Sequence, residues 1–122
     1  MMDINKVTPI EKLKHINEYW NPHIAGELNG QYVKLAKLKG EFVWHKHDDE
    51  DELFYVLSGK LVIELRDKNM VIEEGEYVII PRGVEHKPVA EEEVHVMLFE
   101  PKSTLNTGDV ENELTRKNLN NI

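Results

Sequence analysis

The apolar positions of this chain change their spacing twice. Between residues 9 and 20, Ile10, Leu13, Ile16 and Trp20 recur every three or four residues, the period of one helix face. Thr8-Pro9-Ile10-Glu11 is a good helix start, with Thr8 as N-cap, Pro9 at the first helical position and Glu11 closing a capping box. Asn21-Pro22 stops it, so a short helix is predicted over about residues 9–19. Beyond it the pattern becomes that of strands. Leu61, Ile63 and Leu65 alternate with Val62, Glu64 and Arg66, as in a strand with one wet face. Asn29-Gly30 is the strongest short-range hairpin signal and joins residues 24–28 to residues 31–38. Further turn signals follow at Gly40, the acidic run 48–51, Ser58-Gly59, Asp67-Lys68-Asn69, Glu74-Gly75 and Pro81-Arg82-Gly83. Between them lie runs rich in Val, Ile, Leu, Tyr and Phe at 53–57, 61–65, 77–80 and 94–99. About eight to ten short strands with no second helix-rich half predict an all-β fold, an antiparallel sandwich or barrel.

After Pro101 the apolar positions thin to Leu105, Val110, Leu114, Leu119 and Ile122. An ordered arm near residues 104–109, then a mobile or weakly docked tail, is expected there. No internal repeat or linker divides the 122 residues. One domain over residues 1–122 follows, with its core at about 22–101, a helix at about 9–19 and a C-terminal arm at 102–122.

The charge narrows the partners. Against 15 basic side chains stand 23 acidic ones, a net charge of −8. Such a surface repels phosphate backbones and anionic lipid, so neither nucleic acid nor membrane is an expected partner. An anionic substrate needs a local basic pocket to override that field. No stretch approaches the roughly 20 apolar residues of a membrane span. Met1-Met2-Asp3-Ile4-Asn5-Lys6 lacks the basic and then apolar regions of a signal peptide, and a cytoplasmic location is expected. There is no cysteine, so a metal site in this chain must use nitrogen and oxygen.

Two glycine-bounded segments supply such a set. The first runs from Gly40 through His45-Lys46-His47 to Glu52 and Gly59. The second runs from Gly75 through Pro81 and Gly83 to His86. His45 and His47 are two apart, so on a strand their side chains leave one face. Three imidazoles and one carboxylate are a ligand set for a divalent first-row metal and leave open positions on it. Mn, Fe, Co, Ni, Cu and Zn all suit these donors.

At these residues the sequence resembles the cupin superfamily, small β-barrels of jelly-roll type. Gly40, His45, His47, Glu52 and Gly59 match its first motif, with Gly40 one residue nearer to His45 than is usual. Gly75, Pro81, Gly83 and His86 match the second, whose terminal Asn is replaced by Ala90. The motifs cover residues 40–90 and look like those of small single-domain cupins often grouped with mannose-6-phosphate-isomerase-like members. The resemblance implies a double-stranded β-helix, or jelly-roll barrel, with His45, His47, Glu52 and His86 as metal ligands. It also implies a small-molecule site in the barrel interior. The activity classes it leaves open are a metal-dependent enzyme of isomerase or dioxygenase type and a non-catalytic binding or sensing module.

The other candidates are less directed. The run Asp48-Asp49-Glu50-Asp51 lacks the spaced ligands and glycine of a calcium loop and reads as a solvated connection. His15 and His23 fall on the helix and at its exit, and His95 on a late strand. Alternation puts Val43 on the ligand face, Phe54 and Val56 on the face of Glu52, and Phe42 and Trp44 outward. No catalytic base can be assigned among Glu50, Glu85 and Tyr77. Lys34, Lys37, Lys39, Arg82 and Lys87 are cations that nothing in the pattern fixes inward. A homodimer is expected, with Phe42 and Trp44 as apolar groups in need of cover.

Overall fold

The structure, a computed structural model, describes residues 4–122. Residues 1–3 of the N-terminal stretch read for a leader lie outside the described residues. Asn29 and Gly30 both take positive φ, 49° and 76°, the backbone of a type I′ turn. They fold β1 (His23–Leu28) back on β2 (Gln31–Glu41) in the expected hairpin. Then come β3 (Glu52–Ser58), β4 (Lys60–Leu65), β5 (Asn69–Glu73), β6 (Tyr77–Ile80) and β7 (His86–Pro101). Every strand pairing is antiparallel, in the order β1-β2-β7-β3-β6, with β4 joining β5 to β7. The fold is all-β and of jelly-roll type.

The seven strands are fewer than the turn signals suggest, because β7 is one strand of 16 residues. Residues 86–89 pair with β4 and residues 95–99 pair with β3, while β2 runs along both parts. Residues 91–93 between these parts are exposed, and β2 shifts register between Leu38 and Gly40 at the same level. A bulge of this kind bends both strands, and the bend lets β7 serve both halves of the barrel.

Inward positions follow the period of two. Ala36 and Leu38 of β2, Phe54 and Val56 of β3, Leu61 and Ile63 of β4, and Val94, Val96 and Leu98 of β7 form the buried core. A smaller cluster on the outer face joins Leu13 and Ile16 to Leu35. The helix α1 that brings Leu13 there is only Pro9–Leu13, shorter than the predicted residues 9–19. Its capping box does not form. The Thr8 side chain makes no cap bond, and Glu11 instead pairs with Lys14 at 3.1 Å.

The predicted apolar stripe also splits. Ile10 is exposed, while Trp20 takes a positive φ of 58° and turns into the barrel. There it stacks on Phe42 at 4.7 Å and donates its indole N–H to the Lys39 carbonyl at 2.9 Å. Burying two large rings outweighs the backbone strain of a left-handed tryptophan. Phe42 is therefore inside, contrary to the alternation argument, because β2 ends at Glu41 and the next residues leave strand geometry. Trp44 lies under the Arg66 guanidinium at 3.8 Å.

The C-terminal tail is docked rather than loose. Ile24 N–H donates to the Asn120 carbonyl at 2.8 Å, and Ile122 N–H donates to the Ile24 carbonyl at 3.0 Å. The tail thus occupies the free edge of β1, and Ile122 packs on the outer cluster. Among the described residues, no helix is long and apolar enough to cross a membrane.

Candidate metal centre

Backbone hydrogen bonds join the two motif segments before any side chain does. His45 and His86 exchange N–H···O bonds of 3.1 and 2.9 Å, and Gly83 N–H donates to the His47 carbonyl at 2.7 Å. Glu52 enters from the first residue of β3, where it pairs with Ile80 of β6. One ligand atom from each of His45, His47, Glu52 and His86 lies within 4.8 Å of the others, and all four residues are buried. The four residues singled out in the sequence are thus brought together as a potential metal site.

The nitrogen chemistry suits a metal. His45 Nδ1–H donates to the Val43 carbonyl at 2.8 Å and His86 Nδ1–H to the Val84 carbonyl at 2.9 Å, which leaves each Nε2 with a free lone pair. The Nε2 atoms of His47 and His86 each sit 3.4 Å from Glu52 Oε1, and none of these three buried atoms has a hydrogen-bond partner. Buried polar atoms are rarely left orphaned. Three that converge on one point, all of them good donors to a divalent ion, fit a metal.

The charges are arranged to match. Burial, helped by repulsion from His86, pushes His45 down to about 4, so its neutral, coordinating form dominates at neutral pH. Burial also opposes a charge on His47, but the Glu52 carboxylate outweighs it and raises that pKa. Burial alone would raise Glu52. The neighbouring Glu100, His47 and His86 outweigh it and hold Glu52 well below the usual carboxyl range. Burial and the charge on Glu52 push Glu100 well above that range. The neutral form is thereby favoured on Glu100 and the ionised form on Glu52.

Glu100 and Lys34 were not recognised as a buried pair from the sequence. Both are 1 % exposed, and Lys34 Nζ donates to Glu100 Oε1 at 2.9 Å. Strand alternation does carry the signal: Lys34 shares a face with Ala36 and Leu38, and Glu100 shares one with Val94, Val96 and Leu98. The other cations stay outside the barrel. Arg82 pairs with Asp51 at 3.4 Å and Lys87 with Glu64 at 3.5 Å, while Lys39 is exposed.

Phe42 rather than Val43 lies against the His45 ring, at 5.4 Å. Phe54 and Val56 are on the Glu52 face as expected, with the Phe54 ring 6.4 Å from that of His86. His95 faces outward and pairs with Glu93 at 2.6 Å, so it is no acid or base for the interior. Of the three unplaced bases, Glu85 pairs with Arg66 and Tyr77 is exposed. Glu50 alone reaches a cleft of about 180 Å³ beside His47, lined also by Asp48, Asp49, Ser103, Leu105 and Asp109.

The C-terminal arm closes over this site. Lys46 N–H donates to Asp109 Oδ1 at 2.9 Å, and Asp109 N–H donates to the Lys46 carbonyl at 3.0 Å. Gly108 fits between, with a φ of 58°; a Cβ there would sit 2.2 Å from the Lys46 carbonyl oxygen and 3.1 Å from His45 Cδ2. Asn106 reaches the apolar interior beside His45 and is fixed by Leu114 and Arg116 backbone bonds of 2.9 Å each.

An antiparallel jelly roll with a buried three-histidine, one-glutamate cluster defines a cupin, and the chain belongs to the cupin domain family, which it matches over residues 31–100. It is similar to the Bacillus subtilis (strain 168) protein YdbB, 44% identical over 77 residues, 62% of this chain and 64% of that one. The alignment thus spans less than two thirds of YdbB. Among crystal structures, a cupin-2 domain containing protein from Shewanella frigidimarina is 45% identical with a TM-score of 0.78, over 79% of this chain and 94% of that one. A Neisseria meningitidis protein is 30% identical with a TM-score of 0.73, over 80% of this chain and all of that one.

Proposed function

We propose that this protein is a metal-binding cupin in which His45, His47, Glu52 and His86 hold one divalent transition metal, one of Mn, Fe, Co, Ni, Cu or Zn, beside a small-molecule site. The observation that carries the reading is the convergence of four buried donors within 4.8 Å, with the unprotonated Nε2 of His45 and His86 fixed by bonds at Nδ1. A metal bound there supplies a Lewis acid and, if it is redox-active, an electron donor or acceptor. The chain does the rest. Val43 and Val84 carbonyls orient two imidazoles, and Trp20, Phe42, Phe54 and Leu98 exclude water. Ligand approaches through the acidic cleft at His47, which favours a neutral or cationic molecule.

An enzyme of isomerase or dioxygenase type is the first reading. The interior space beside His45 is only about 30 Å³, enough for about one water. That observation favours, as a second reading, a non-catalytic binding or sensing module that takes its ligand when the arm moves. The acidic surface supports a cytoplasmic protein without nucleic acid or membrane partners. A homodimer is supported on a different face from the one first expected. Leu53, Ile79 and Phe99 form one row across the outer sheet, with Tyr55 and Tyr77 in the next, and Ile79 and Tyr77 are 52% and 62% exposed.

Elemental analysis of protein purified without added metal tests the centre. The expected result is close to one transition metal per chain, lowered by orders of magnitude in His45→Ala/His47→Ala. Full retention of metal in that double variant rejects the assignment. Oxygen-uptake and sugar-isomerisation screens of the metal-loaded protein then separate the two readings.

A further inference from the structure

The strongest departure from the surface chemistry of this chain lies away from the metal centre. Between the docked tail and the β1–β2 hairpin is a cavity of about 350 Å³. Its wall carries four cations, Lys34, Lys102, Arg116 and Lys117, and no acidic residue. On a chain with 23 acidic side chains against 15 basic ones, that is a local reversal of sign. The cleft at His47 is the opposite, with Asp48, Asp49, Glu50 and Asp109 in its wall. The two share only Ser103 and Leu105.

The cavity has built polar groups. Lys34 is 1% exposed, and its ammonium bonds to Glu100 at 2.9 Å and to the Thr104 carbonyl at 3.5 Å. An ammonium has three N–H donors, so one remains. Thr104, also in the wall, is 6% exposed and its Oγ1 has no hydrogen-bond partner. The outer three cations are held by Glu27 at 3.1 Å, Glu18 at 3.6 Å and Glu111 at 2.8 Å. The Lys102 and Lys117 side chains in these pairs are 47% and 62% exposed, and pairs of that kind contribute little and are readily exchanged for a ligand. Ser103 and Asn118 add polar groups to the wall, and the remainder is carbon. The Tyr32 ring lies 5.9 Å from Lys34 Nζ and 5.6 Å from Lys102 Nζ, with Ile24, Leu105 and Leu119 around it. The volume is at the low end of small-molecule sites, roughly 300–1,000 Å³.

We propose that the cavity between the tail and the β1–β2 hairpin is a second binding site, for a small organic anion with one or two carboxylates on a carbon frame. Lys34 and Thr104 receive a carboxylate at the floor, Lys102, Arg116 and Lys117 neutralise it at the rim, and Tyr32 packs on the carbon frame. None of the four candidate metal donors lines it.

Isothermal titration calorimetry of the full chain tests it, with succinate and phthalate as probes and inorganic phosphate for comparison. The expected result is saturable binding of one carboxylate probe per chain, tighter than phosphate and weakened by added salt. Lys102→Gln/Lys117→Gln lowers the affinity at least about tenfold, since each lost charge-assisted contact is worth about that factor. His47→Ala leaves it unchanged, which separates this site from carboxylate binding at a metal. Three results overturn the proposal: no saturable heat with either probe, phosphate binding as tightly as both, or affinity lost in His47→Ala and kept in the double lysine variant.

Discussion

The Lys34–Glu100 pair allows a test in which the two single substitutions should differ. Glu100→Leu leaves the Lys34 ammonium, 1% exposed, with only the Thr104 carbonyl at 3.5 Å. Stranding a buried charge in this way destabilises by about 3–5 kcal/mol. Lys34→Met strands Glu100 instead, but burial and the charge on Glu52 already push that carboxyl well above its usual range. It stays neutral, so the loss is closer to one hydrogen bond left unmade, about 1–3 kcal/mol. The double variant Lys34→Met/Glu100→Leu puts apolar groups of similar volume in the same space and returns to within about 1 kcal/mol of the parent. The resulting coupling energy is roughly 3 kcal/mol or more. Urea unfolding of the four metal-free forms at one pH measures it, provided the denaturant slope is the same throughout. In thermal melts a 3 kcal/mol loss appears as a drop of roughly 10 °C for a chain of this size. Additive single effects would refute the desolvated pair, and equal single effects would refute the proton on Glu100.

Three further outcomes follow from the site and its cover. In metal-free protein His45 titrates at about 4 folded against about 6.5 unfolded. The unfolded chain therefore binds more protons between these values, and stability falls as pH drops through that window, by up to about 3 kcal/mol. His47 has the opposite sign, since its raised pKa stabilises below pH 6.5 and that gain is lost as pH rises. The parent minus His45→Asn difference isolates the first effect, and a flat difference from pH 6.5 to 4 refutes it. Gly108→Ala adds a left-handed backbone penalty of about 1 kcal/mol to a clash with Lys46, so amide exchange at Lys46 and Asp109 should rise severalfold; unchanged exchange would show that the arm does not bear on the site. Light scattering of the parent should give a dimer mass and of Ile79→Glu a monomer mass, whereas a monomeric parent rejects the sheet-face pairing.

The ligands were legible because each sits in a locally determined place. His45 and His47 flank one residue, Glu52 opens β3, and His86 opens β7, so the spacing of two glycine-bounded motifs pointed to all four, although His45 and His47 lie beyond the end of β2. What failed was alternation carried past the end of a strand. β2 stops at Glu41, and the inference that sent Phe42 outward ran through residues with no strand geometry. Trp20 failed for a related reason: a helical period cannot foresee that one indole turns out of its stripe to fill a barrel end. The tail was underestimated because its hold on β1 is made by backbone groups, which composition does not reveal. Lys34 and Glu100 were missed although the strand period pointed both inward, because a lone lysine on an apolar face reads as solvated until its partner, 66 residues on, is known.

The same distinction bears on what the cupin relatives can say about chemistry. The family match ends at residue 100, and with it ends the part of the chain that builds the barrel and its four buried donors. Several groups packed around those donors come after it. Asn106 occupies the interior beside His45, Gly108 presses on the His45 ring edge, and Asp109 clasps Lys46 between the two histidines. The cationic cavity likewise takes eight of its eleven wall residues from positions 102–119. A shared barrel therefore carries over the four buried donors, whereas much of what surrounds them lies outside the matched region. Exchanging residues 102–122 for those of another cupin should change ligand preference while leaving metal content intact.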